Sequence, residues 1–333
     1  MRPDVQATVA FVVIAFMLTA YVLLDGYDLG VAAISPLIAR SDAERAATMA
    51  SIGPFWNGNE VWLIAAGGAL FALFPAAYAA AFSGFYLPFM VVLWLLMFRG
   101  IAMELRGHLD SDLWHQFWDT AFWLSSALLI VLFGVALGNL VRGVPLDLFG
   151  YFQGTFGFLL NPYALLIAVF GLAALAQHGA AFAVMRIDGA PALRAARLMR
   201  GLWWVVLALY LGASAATFAT RGAPAGVWPY VVPIASLAAL IGLRAALARG
   251  LGFATFAASA AFLISLLAEA AGTLYPYLLP SFPAGHGGIS IQDAAPSPLG
   301  LTVALTVTIA GSIAVLVYGS AVWRRMAGKV RVE

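Results

Sequence analysis

The 333-residue chain contains no cysteine. That one absence excludes disulfides, thiolate metal sites, iron–sulfur clusters and cysteine nucleophiles. Charge is the second shortage: 10% of residues are Asp, Glu, Lys or Arg, against 63% hydrophobic, with a mean hydropathy of +0.95. A soluble domain is roughly 45–50% apolar and about 25% charged. The 17 basic and 15 acidic residues could not cover a water-soluble globule of this size. Disorder is excluded by the same numbers, because it requires low hydrophobicity and high net charge. The net charge is only +2, which gives no basis for nucleic-acid binding. No phosphate-binding loop, dinucleotide-binding glycine pattern, zinc motif or serine-nucleophile elbow is present. An all-α polytopic membrane protein is what composition leaves.

A membrane-crossing helix needs about 20 apolar residues. Apolar runs fall at 6–37, 51–73, 80–104, 118–140, 162–185, 201–219, 228–248, 251–274 and 299–323, which predicts nine transmembrane helices. The second and third runs are separated by a short turn around Pro75, and the seventh and eighth by Arg249-Gly250. An eight-span alternative makes 51–73 re-entrant. The positive-inside rule favours nine, with the N-terminus outside and the C-terminus cytoplasmic. Only Arg2, Arg142 and Arg221 of the 17 basic residues then lie outside. The connection at 275–298, which has no Lys or Arg, is then external. After Arg2 the apolar stretch continues through Val22-Leu23-Leu24 with no polar cleavage region, so a retained first helix is expected rather than a signal peptide. The chain reads as one integral membrane domain, 1–333. Trp114, Trp118, Trp203, Trp204, Trp228, Tyr230, Tyr275, Tyr277 and Trp323 fall near span ends, as in an aromatic belt.

Chemistry in such a chain shows as ionisable residues inside the spans, each costing about 2.5–3.5 kcal/mol at the centre of an isolated helix. The first helix holds Asp25 and Asp28, and a spacing of three puts both carboxylates on one face. Near the cytoplasmic end and facing protein or water, the pair can hold and pass a proton. It can equally be a hydrogen-bonded structural pair beside the small-residue face of Gly26 and Gly30. The second helix opens with Asn57, Asn59 and Glu60. One reading makes Asn57 the cap and Glu60 the third residue of an imperfect capping box; the other makes Glu60 a functional acid at the depth of Asp28. Arg99 is either a snorkelling terminal residue or the counter-ion of a buried carboxylate. Glu104 and Asp119 are either interfacial or part of the same charge-handling set. Glu269 stands in the external half of the eighth span without an evident basic partner. Of His108, His115, His178 and His286, only His178 reaches membrane depth, and the four offer no facing pair for a haem.

Leu24-Asp25-Gly26-Tyr27-Asp28-Leu29-Gly30, Trp56-Asn57-Gly58-Asn59-Glu60-Val61-Trp62 and Ala65-Ala66-Gly67-Gly68-Ala69-Leu70-Phe71-Ala72 carry a resemblance. So do Tyr78-Ala79-Ala80-Ala81-Phe82-Ser83-Gly84-Phe85-Tyr86, Phe98-Arg99, Trp118-Asp119, Gly134-Val135-Ala136-Leu137-Gly138-Asn139 and Gly143-Val144-Pro145. Leu160-Asn161-Pro162 and Tyr275-Pro276-Tyr277-Leu278-Leu279-Pro280-Ser281 complete the set. In this order the chain resembles subunit II of the cytochrome bd-type ubiquinol oxidases, most specifically over its first hundred residues.

The resemblance implies a nine-helix subunit of two four-helix bundles plus one peripheral helix, with 1–140 the first bundle and 162–323 the remaining five helices. It implies a respiratory quinol oxidase of the bacterial cytoplasmic membrane that reduces O2 to water. Haems b and d and the quinol site belong, on the same basis, to a partner subunit I, so this chain is not catalytic alone and binds no haem itself. It leaves room for a structural quinone or lipid here and for a small single-helix third subunit. The family's proton role transfers to Asp25, Asp28 and the polar start of the second helix, with Arg99, Glu104 and Asp119 beside them. Two positions depart from familiar members: Asn57 stands where Asp is common, and Glu60 where Gln is common. Asn57 can only orient water or a neighbour, which leaves Glu60 to carry the proton. This combination is similar to the cyanide-insensitive branch of the family. On residues alone, an ion-coupled secondary transporter with discontinuous helices at Gly67-Gly68, or a purely structural assembly subunit, are the rival readings.

Overall fold

The computed structural model describes residues 3–222, 228–283, 287–326 and 328–332. In chain order the helices are α1 (Pro3–Ile38), α2 (Asp42–Ile52), α3 (Trp56–Leu73), α4 (Pro75–Gly84), α5 (Tyr86–Leu105), α6 (Asp112–Arg142) and α7 (Phe156–Leu159). They continue with α8 (Pro162–Arg186), α9 (Ala190–Arg221), α10 (Trp228–Ala248), α11 (Gly252–Leu274) and α12 (Pro298–Arg325). Among the described residues, eight helices are long and apolar enough to cross a membrane. These are α1, α5, α6 and α8 to α12. The second predicted span corresponds to α3, whose 18 residues open with the polar Asn57, Asn59 and Glu60.

Boundaries around the second and third spans differ from the hydropathy reading. Gly53-Pro54 separates α2 from α3, and the apolar run from 80 is split at Phe85 between α4 and α5. Apolar composition is blind to such breaks. Proline marks the first because it cannot donate a helical N–H, and Pro75 opens α4 at a position where no donor is needed. Gly67-Gly68 lies inside continuous α3, and a Cβ on either glycine would meet nothing within 4 Å. It marks no discontinuity and, among the described residues, no close crossing.

Helix α1 lies at the centre, packed against α3, α6, α8, α11 and α12. Its approach to α8 depends on glycine: a Cβ on Gly30 would stand 2.0 Å from the Leu175 carbonyl oxygen, and one on Gly179 2.2 Å from the Gly30 carbonyl carbon. Gly134 and Gly138 let α6 meet Ala168 and Ala164 of α8 in the same way. Without a hydrophobic drive between helices in lipid, such close packing supplies the association.

At one end of the bundle the segments after α6 and α11 lie together. Strands β1 (Tyr277–Pro280) and β2 (Gly288–Ser290) pair antiparallel, and Val144 bridges to Ser281. Asn161 caps α8, and its amide donates to Asn139 Oδ1 at 2.9 Å. At the other end Arg186 donates to the carbonyls of Met326 and Gly328, and Ile187 pairs with Val330, so the C-terminal segment is held against α8.

The aromatic-belt expectation is corrected at two positions. Trp118 and Trp203 are buried rather than facing lipid, and the Trp203 indole donates to the Leu240 carbonyl at 2.8 Å. The side chain of Trp228 lies outside the described residues.

Candidate functional site

Asp25 and Asp28, one helical turn apart on α1, are both fully buried. Arg99 of α5 is buried with them and clamps Asp25 through two bonds, Nη1 to Oδ2 at 2.9 Å and Nη2 to Oδ1 at 2.5 Å. Its Nη2 also lies 3.1 Å from Glu60 Oε1 on α3. Of the two readings of Arg99, the structure selects the counter-ion; a snorkelling residue would not be enclosed. The planar guanidinium suits this work, because its fixed fork serves two carboxylates at once. Asp28 has no such partner among the described residues. The Asn59 amide donates to Asp28 Oδ2 at 2.7 Å and lies 2.9 Å from the Tyr27 hydroxyl, while Asp28 Oδ1 is buried with no hydrogen-bond partner there.

Helix phase on α3 decides which polar residue enters the cluster. The buried positions are Asn59, Trp62, Ala66, Ala69 and Leu73, a stripe at helical spacing. Asn57 lies off that stripe and is exposed. The capping reading of Asn57 is also corrected: Phe55 occupies the cap position and α3 has no side-chain cap. Asn59 was the signal to take, since it shares the stripe with Trp62 and Ala66.

A second network lies where the helices end. Arg106 donates to Asp119 and Asp42, each at 2.6 Å, and Arg45 pairs with Asp119 at 3.1 Å. His115 reaches Asp42 at 3.3 Å. Burial acts to raise the Asp42 carboxyl, but the hydrogen bond and charge of Arg106, with His115 and Arg45, hold it below its ordinary value. Glu44 belongs to a capping box on α2 with Ser41 and meets Arg194 of α9 at 2.5 Å. The Arg194 guanidinium, with the backbone N–H groups of Arg40 and Ser41, holds the Glu44 carboxyl at about 2. Asp119 therefore joins this network and not the buried cluster. Glu104 is exposed and lines a hollow of about 280 Å³ with Met49, Ala50, Trp56, Met103 and Arg106.

Glu269 is not isolated: the hydroxyls of Tyr210 (3.1 Å) and Ser236 both donate to its Oε1. His178 is fully buried and uses both ring nitrogens. A carbonyl only accepts, so Nε2–H donates to Leu23 at 3.0 Å and Nδ1 accepts from the Ser259 hydroxyl at 3.0 Å. His108 is exposed, and His286 lies outside the described residues.

Fold and site together define a multi-spanning helical membrane protein that encloses a carboxylate–guanidinium cluster among its first helices. The family model for cytochrome bd terminal oxidase subunit II matches residues 6–326. A "Probable cytochrome oxidase subunit 2" of Haemophilus influenzae is 31% identical over 355 aligned residues, covering 96% of this chain and 94% of that protein. The "Cytochrome bd-I ubiquinol oxidase subunit 2" of Escherichia coli K12 is 30% identical over 366, covering 99% and 96%. A solved bd oxidase chain from Geobacillus thermodenitrificans shares the fold, with a TM-score of 0.78 at 16% identity over 96% of this chain and 98% of that one. The chain belongs to the cytochrome bd terminal oxidase subunit II family.

Proposed function

We propose that this chain is the second subunit of a bd-type quinol oxidase in a bacterial cytoplasmic membrane, stabilising a haem-bearing subunit I and feeding it protons from the cytoplasm. In this reading α3 is the ninth crossing, with the N-terminus outside and the C-terminus inside, and the helices divide into bundles 1–140 and 162–323. Quinol oxidation and O2 reduction occur on the partner, where haems b and d reside. A small third subunit and a structural quinone or lipid complete the assembly.

Charge balance carries the proton assignment. Three acids, Asp25, Asp28 and Glu60, share one guanidinium among the described residues: Arg99 pairs with Asp25 and Glu60, and Asp28 has only the Asn59 amide. Two uncompensated carboxylates at this depth are too costly to stay ionised together, so the cluster holds protons. Asp28 Oδ1, which has no partner among the described residues, is where one such proton can reside. Reduction of O2 to water consumes protons, and a cluster that shares them among three acids can release and regain them in turn. Asp25→Asn and Glu60→Gln should each lower quinol-driven O2 uptake while haem spectra stay intact. Unchanged turnover in both would remove the proton role; loss of haem and of the assembled complex would leave a structural role alone.

A further inference from the structure

We propose that the hollow between α2 and the end of α5 is a water vestibule, and that the Trp56 indole is the barrier between it and the buried acids. The inference rests on the proton-uptake reading and adds a path and a gate to it.

The hollow is lined on one side by Ala46, Met49, Ala50 and Gly53 and on the other by Met103, Glu104, Arg106 and Gly107, with Trp56 at its edge. Charged and apolar groups share the wall, and its volume of about 280 Å³ holds several waters. Helices α3 and α5 run in opposite directions here, since Trp56 at the start of α3 meets Gly100 near the end of α5 and Glu60 meets Arg99, so depth can be read from the chain. On α5, Met103 and Glu104 line the hollow, and Arg99 and Gly100 stand one turn further in. On α3, Trp56 borders the hollow, and Glu60 stands one turn further in on the same face. Between these levels the indole covers Gly100: a Cβ there would be 3.3 Å from Cη2 and Cζ3 of Trp56. Gly100 is itself buried. The ring therefore fills the space directly beside the Arg99–Glu60 contact; Glu60, whose side chain is 19% exposed, is not part of the hollow's lining and lies one turn beyond the ring.

A wide apolar ring is a sound barrier for this place. It excludes water while the acids hold their protons, and it can swing by a side-chain rotation without breaking any ion pair. Met49 and Met103, unbranched and adaptable, border the hollow and can accommodate that movement.

Because the chain has no cysteine, single cysteines can report water access directly in the assembled oxidase. Ala50→Cys probes the hollow and Glu60→Cys the far side of the ring, each treated with a charged, membrane-impermeant thiol reagent from the cytoplasmic face. Ala50→Cys should be modified readily and Glu60→Cys about tenfold more slowly, since modification follows access of the reagent to the thiolate. Adding Trp56→Ala should raise the Glu60→Cys rate about tenfold and leave Ala50→Cys unchanged. Where Trp56→Ala fails to assemble, as judged by haem absorbance, Trp56→Leu serves with the same readout. An unreactive Ala50→Cys would overturn the vestibule, and a Glu60→Cys rate indifferent to residue 56 would overturn the gate. Labelling does not depend on turnover. Failure of the proton role, seen as normal turnover in Glu60→Gln, is therefore distinguishable from failure of the gate.

Discussion

Arg99→Leu removes the one cation of the buried cluster. Three contacts are lost: two to Asp25 at 2.9 and 2.5 Å and one to Glu60 at 3.1 Å. Removing one partner of a buried ion pair costs about 3–5 kcal/mol, because the other is left uncompensated. Replacing both partners with apolar residues of similar size is often near neutral. The cycle Arg99→Leu, Asp25→Leu and the double variant should therefore be strongly non-additive, the double being more stable than Arg99→Leu alone. Arg99→Lys keeps the charge but not the fork and should lose about 1.5–3 kcal/mol, the worth of a hydrogen bond to a charged group. The assay is unfolding of the purified complex in mild detergent, followed by helix signal and by haem absorbance in parallel. An Arg99→Leu variant as stable as the parent, or a double variant no better than the single, would refute the account of the cluster.

Asn59→Leu strips Asp28 of its donor at 2.7 Å and should lower stability by about 1–3 kcal/mol, the cost of leaving a buried acceptor unpaired, whereas Asn57→Leu, at an exposed position, should be close to neutral. Equal effects in an unfolding titration would count against the helix phase described for α3. Gly30→Val drives side-chain atoms into the α8 backbone, where even a Cβ would be 2.0 Å from an oxygen, and should abolish recovery of the assembled complex on a sizing column. The Glu44–Arg194 latch has a defined pH window. Its folded-state carboxyl titrates near 2 against an ordinary 4.5, so its stabilisation is complete above 4.5 and is lost as pH falls towards 2. Melting of the parent and Glu44→Gln should therefore differ at neutral pH and draw together below 4.5, converging as pH falls to about 2; a difference independent of pH would rule the latch out.

Much of the architecture could be read from residues because the bilayer demands long apolar helices, and composition reports these directly. The breaks at Gly53-Pro54 and Phe85 escaped, since hydropathy averages over them. Asp25 and Asp28 were legible through their spacing of three and the cost of burying them. The partnership of Arg99 with Asp25 was not, because the two are 74 positions apart and only the helix packing joins them. Asn57 and Asn59 show the limit most clearly. Two residues apart on a helix, they point to different sides, and only the stripe through Trp62 and Ala66 says which one enters the cluster. From sequence, Asp119 and Glu104 read either as interfacial or as part of the charge-handling set; the structure gives Asp119 to the Arg106–Arg45 network and leaves Glu104 on the hollow.

Proton uptake itself is the decisive observable. When O2 is pulsed onto the fully reduced complex with a pH-indicating dye in the medium, protons should disappear together with haem reoxidation in the parent. In Glu60→Gln the account predicts unchanged O2 binding but proton uptake slowed by about tenfold or more, a barrier increase of about 1.4 kcal/mol or more. Uptake at the parent rate, with haems intact, would contradict it.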